Sequence, residues 1–194
     1  MNNESASFVQ IQKNSIDWSK IEHLLQLSLG TSTAVIKNLW TIFKPSTNLE
    51  FERFTSKRKM MTVPSFIDTA HFEKGITPET IADGGFEFPP EGRAFSTGFI
   101  NLKKPNSAVY QLILCKVAIG KSLCLNIKED EIVNILREDL DKEFDSVYVK
   151  IEDEDKYDSV YRYDYIVYEN GQVHPEYLVE FEFDESKESN LKVY

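Results

Sequence analysis

Apolar positions recur at helical spacing near the start of the chain and become continuous or alternating toward its end. Trp18, Ile21, Leu25 and Leu29 predict a helix over residues 17–29, which Gly30 stops and after which Ser32 can cap another. Val35, Ile36, Leu39, Trp40 and Phe43 follow as an i, i+1, i+4, i+5, i+8 series, so a second helix is expected, ended by Pro45. Residues 1–16 are polar and carry no clear period. Residues 46–75, rich in Phe, Met and Thr, contain strand-like pieces at 49–54 and 60–67. Thr77-Pro78-Glu79 supplies a cap, a proline at the first helical position and an acid in the first turn, predicting a short helix that closes at Gly84-Gly85.

The strongest strand signal is AVYQLILCKVA (108–118), a near-continuous apolar run of the kind buried on both faces. A charged helix is expected next, with Ile132, Val133, Leu136 and Leu140 along one stripe. Three strand-like stretches follow, 146–151, 163–169 and 176–183, and Asn170-Gly171 between the last two is a hairpin signal. The tail 184–194 is polar, and FDSV (144–147) and YDSV (157–160) are too short to count as a repeat. Helices first and strands later give an α+β class.

Composition narrows the function classes. A net charge of −10, from 22 Lys plus Arg against 32 Asp plus Glu, argues against wrapping nucleic acid and fits a basic partner surface. The first ten residues have no apolar segment of signal-peptide type, and no apolar run approaches the ~20 residues that span a bilayer, so an intracellular protein without a membrane anchor is expected. Cys115 and Cys124 sit in LILCKVAIGKSLCL and are expected to be buried free thiols.

His23, His71 and His174 lack metal-ligand spacing with the cysteines, and no metal site is expected. IEDEDK (151–156) lacks the glycine and spacing of a calcium loop and reads as a solvated connection. There is no phosphate-cradling glycine loop, since Gly84-Gly85 reads as a helix stop. Arg53 and Lys57-Arg58-Lys59 form a basic patch suited to solvent or an acidic protein surface.

Longer strings carry a family resemblance. YDYIVYENGQVHPEYLVEFEF (163–183), LCKVAIG (114–120) and FDSV (144–147), with KNLW (37–40) and ITPETIADGGF (76–86) upstream, resemble the catalytic domains of poly(ADP-ribose) polymerases. The resemblance spans residues 33–183 and is most specific in the last 75 of the domain. It implies an ADP-ribosyltransferase-like fold, two packed antiparallel sheets around a cleft with N-terminal helices. It also implies a layout of an N-terminal extension with one helix (1–30), the domain itself (31–185) and a polar tail (186–194).

That family cleaves NAD between nicotinamide and ribose. A His-Gly pair holds ribose and carboxamide, a tyrosine stacks on nicotinamide, and a late glutamate steadies the developing positive charge. Carried over position by position, the glutamate falls on Asp164, one methylene shorter. Displacements of about 1 Å can cost on the order of 100-fold in rate. The tyrosine falls on Ile100 in GFINL (98–102), or on Ala94 in an alternative register through GRAFS (92–96). The His-Gly pair falls on Ile67 and Asp68 in SFIDT (65–69), while nearby His71 is followed by Phe72. Asp68, Ser146 and Tyr110 are the positions that would line a cofactor site.

Ile, Ile and Asp in place of His, Tyr and Glu imply a catalytically inactive domain without a cofactor, acting as a structural or interaction module. The alternatives are a mono-ADP-ribosyltransferase that uses NAD through Asp164, and a sensor that binds NAD or ADP-ribose without cleaving it. Polar ends fray unless held by the domain's own surface or by neighbours. A component of a larger protein assembly is therefore expected, with a cytoplasmic cytoskeletal or ciliary (axonemal) scaffold as one setting.

Overall fold

The computed structural model describes residues 5–58, 60–68, 77–84, 92–96, 102, 109–128, 135–152, 162–184 and 186. Along the chain these form β1 (Ser7–Gln10), α1 (Ile16–Leu29), β2 (Ala34–Phe43), α2 (Pro45–Arg58), β3 (Thr62–Asp68), α3 (Pro78–Gly84) and β4 (Arg93–Ser96). After these come β5 (Tyr110–Ala118), β6 (Ser122–Lys128), β7 (Ser146–Glu152), β8 (Arg162–Val167) and β9 (Val173–Phe183). One sheet has the order β1-β2-β9-β5-β3 and is antiparallel throughout. The other has the order β4-β8-β7-β6, in which β6 and β7 run parallel, so the expectation of two purely antiparallel sheets is corrected there.

Both faces of the five-stranded sheet are covered, which is why β5 reads as a near-continuous apolar run. On one face Trp18, Ile21 and Leu25 of α1 pack on Ala34, Ile36, Leu39, Leu112, Leu114, Val179 and Phe181. Each such side chain taken from water contributes about 1.5–3 kcal/mol. On the other face Ile113, Cys115, Val117 and Leu178 meet Phe95 and Val167 of the four-stranded sheet and Ile81 of α3. A third cluster covers the outer face of the four-stranded sheet, where Leu140, Ile135 and Phe144 lie on Val147, Val149, Ile166 and Tyr168.

Local signals explain the ends of α1. The Ser15 side chain accepts from the Trp18 N–H, and Gly30 takes the left-handed conformation at φ 65° while Thr31 N–H bonds to Gln26 O at 3.1 Å. In α3 the Thr77 and Thr80 hydroxyls cap each other's backbone N–H, as the threonine-proline signal predicts.

Elsewhere the periodicity misleads. The expected second helix is strand β2. Its register slips between Ile36 and Asn38, so Lys37 is an extra residue and the buried Ile36 and Leu39 stand three apart, a helical interval. The Ile36 N–H at this bulge is taken by Glu22 Oε1 of α1 at 3.2 Å. Ser32 therefore caps no helix, and Pro45 opens α2 instead of closing its predecessor. The strand-like piece at 49–54 lies inside α2, where Phe51 and Phe54 fall three apart, on a helical face. The expected charged helix is corrected in its described part: residues 137–139 form a turn, Leu140 is buried, and Ile132 and Val133 lie outside the described residues. The polar N-terminal segment is held by its own sheet, since Ser7 to Gln10 pair with β2.

Asn170-Gly171 is not a hairpin. Residues Asn170–Gln172 form a 3-10 turn that carries the chain from β8 in one sheet to β9 in the other. Gln172, 1% exposed, fixes this corner with all four bonds its amide reaches. Its Oε1 accepts from the N–H groups of Tyr168 and Glu169, each at 3.0 Å. Its Nε2 donates to Ala118 O at 3.1 Å and Asp145 O at 3.0 Å. Ala118 ends β5 just where the chain makes its other described crossing, into β6, and Asp145 precedes β7.

Gln172→Leu keeps the side-chain volume and removes these bonds, leaving buried backbone groups without a partner at about 1–3 kcal/mol each. Urea denaturation is expected to show a loss of about 3 kcal/mol or more. The control Asn170→Ala, at an exposed neighbour, should stay within about 0.5 kcal/mol.

Candidate functional site

Among the described residues, the positions carried over from the family resemblance are spread over both sheets and do not share one face. Ile67, in the histidine position, sits on β3 opposite Ile113 and packs against the core between the sheets. Its side chain can neither donate nor accept a hydrogen bond there. Asp68 ends β3. Tyr110 stands on the α1 side of the five-stranded sheet, stacked on Phe181 at 5.2 Å with Phe183 edge-on. Asp164, 5% exposed, lies opposite Val149, on the face of the four-stranded sheet turned away from the other sheet. Ile100 and His71 lie outside the described residues.

Ser146 has a structural task. Its hydroxyl, fully buried, donates to Ile119 O at 2.6 Å and shares a proton contact with Ser122 Oγ at 2.7 Å. This pair sets the start of the parallel β6–β7 ladder. Asp145 beside it accepts from the Lys121 N–H at 3.1 Å and donates its own N–H to Lys121 O at 2.8 Å.

The GRAFS string forms strand β4, paired with β8 so that Ala94 is opposite Ile166 and Ser96 opposite Asp164. In this register the tyrosine position and the acid position are brought onto neighbouring strands. Ala94 is exposed and offers no ring for a ligand to stack on. Gly92, just before the strand, takes φ 76°, and a Cβ there would lie 2.6 Å from Val167 O, so the close approach of β4 to β8 depends on this glycine.

A small open hollow of about 210 Å³ is found elsewhere, between β1 and the start of α1. Gln10, Ile11, Gln12, Lys13, Trp18 and Lys37 line it, none of them a candidate site residue in the sequence. Lys37 is ion-paired with Glu182. Among the described residues no group of three or more His, Cys, Asp or Glu could hold a metal ion. No described helix is long and apolar enough to cross a membrane.

The two thiols differ, which corrects the expectation that both are buried. Cys115 is buried between the sheets, and burial, with the nearby Glu176 charge, pushes its pKa well above the ordinary thiol value. Cys124 is exposed on β6, because β6 is an edge strand and its alternate side chains face solvent. In the same row, the Tyr148 and Tyr165 rings meet at 4.9 Å, and burial raises the Tyr165 phenol.

A chromogenic disulfide reagent is accordingly expected to titrate one thiol in the native protein and two in denaturant. Cys124→Ser should abolish the native reaction and Cys115→Ser should leave it unchanged.

No protein-family model matches the chain and no curated protein matches it, so the resemblance rests on the strings in its own sequence.

Proposed function

We propose that the chain is a non-catalytic module on an ADP-ribosyltransferase-like scaffold, serving a structural or protein-interaction role in a larger assembly. The observation that carries this reading is the separation of Ile67 and Asp164. One is packed toward the core between the sheets, the other is buried on the far face of the four-stranded sheet. A nicotinamide ribosyl group held at one would be out of reach of the other, and neither Ile67 nor Ala94 provides the hydrogen bond or aromatic face that orients it.

The strings behind the resemblance meet somewhere else. Ala118 of LCKVAIG, Asp145 of FDSV and Gln172 of the QVHPEYL segment are joined by the Gln172 amide. These residues speak for a shared scaffold and leave the chemistry aside. The net charge of −10 favours a partner with a basic surface. An intracellular cytoskeletal or axonemal scaffold is the setting this reading favours.

Incubation with labelled NAD tests it. Neither wild type nor Asp164→Ala should modify itself or hydrolyse NAD above background. Transfer by wild type that disappears in Asp164→Ala would replace this reading with a mono-ADP-ribosyltransferase. A thermal shift with NAD or ADP-ribose but no turnover would replace it with a sensor.

A further inference from the structure

Among the side chains described, helix α2 meets the β8–β9 corner through an aromatic contact. Phe51 is its buried hydrophobic residue among those whose side chains are described, and the flanking Glu50, Glu52 and Arg53 are exposed. Phe54 lies on the corner at Gly171, where a Cβ would come 3.2 Å from its ring. The Phe51 ring meets the His174 ring at 5.6 Å between centroids. His174 Nδ1 is buried and has no hydrogen-bond partner among the described residues.

The charged groups facing this imidazole come from three elements: Glu52 of α2, Glu176 of β9 and Lys116 of β5. Lys116 and Glu176 pair with each other at 3.0 Å and so largely offset one another. Burial dominates, holding the His174 pKa below the ordinary imidazole value. A second proton makes the imidazole a cation whose buried Nδ1–H has no acceptor among the described residues, and such a group is costly to bury. Lifting α2 lets water reach Nδ1 and removes that cost.

We propose that α2 is an acid-released strap, held over the β8–β9 corner while His174 is neutral and freed when Nδ1 is protonated. The closed form binds fewer protons than the open one, so the strap is fully held above the ordinary histidine range. Its hold weakens as pH falls through that range toward the lower value of the closed form.

Hydrogen–deuterium exchange followed by peptide mass spectrometry on the full chain reads this directly. After correction for intrinsic rates, exchange of residues 45–58 is expected to rise between pH 7.5 and pH 5 by up to about tenfold per pH unit, the limit for one linked proton. Exchange in α1 should stay flat. His174→Gln and His174→Phe cannot take up the proton, and whichever folds should make α2 exchange independent of pH. A rise that persists in these variants, no rise in wild type, or α1 opening in step with α2 would each overturn the proposal.

Discussion

The architecture depends on a single buried amide. Two sheets that share one core must exchange chain, and the β5-to-β6 and β8-to-β9 crossings lie side by side at the same edge of the molecule. Backbone groups released from ladders at such corners need partners, because burying them unpaired costs more than a good hydrogen bond contributes. Gln172 supplies two acceptor and two donor contacts from one side chain, reaching both crossings and the entry to β7. Gly120 turns through φ 53° beside it, and Ser146 ties the same corner to Ile119. The sheets are thereby fixed relative to each other at a point where neither has a strand to spare.

Much of the fold was legible where one interaction dominates the local pattern. The run that becomes β5 has both faces buried, and no polar periodicity competes with it. The caps of α1 and α3 are local by nature and appear in the sequence as Gly30 and Thr77-Pro78. Legibility failed where tertiary contacts set the pattern. The bulge at Lys37 converts the alternation of β2 into a helical interval, and nothing local reveals it. β1, with Ser7 and Gln10 at its ends and only Phe8 and Val9 apolar, becomes a strand because β2 offers an unpaired edge. β6 pairs in parallel with a strand more than twenty residues away, a long-range choice that local reading missed. Asn170-Gly171 announces a turn correctly, but a turn signal does not say to which sheet the next strand belongs.

The candidate site was less legible for a different reason. A resemblance maps residue types onto positions, whereas chemistry requires those positions to face one volume. Asp164 could be located from the YIVY string, yet which side of its sheet it faces depends on the β7–β8 register. Of the two positions read for the tyrosine, Ile100 lies outside the described residues, and Ala94 stands on β4, which pairs with the strand that carries Asp164. Gln172 stood inside a quoted string without a role. A glutamine between a tight turn and an apolar strand is the signal that could have marked it, since a buried amide has a use only if it is bonded on both ends.

The placement of β9 bears on how the molecule is made. This strand is paired on one side with β2 and on the other with β5, which do not touch each other in the sheet order. It also follows both in the chain, by 130 and 55 residues between their last positions and its first. While the ribosome is still adding residues before Val173, the two halves of the larger sheet have no common neighbour, and their apolar edges stand open. Closure waits for β9, so assembly of this sheet is rich in distant contacts, a route that is slow and exposed to misassociation.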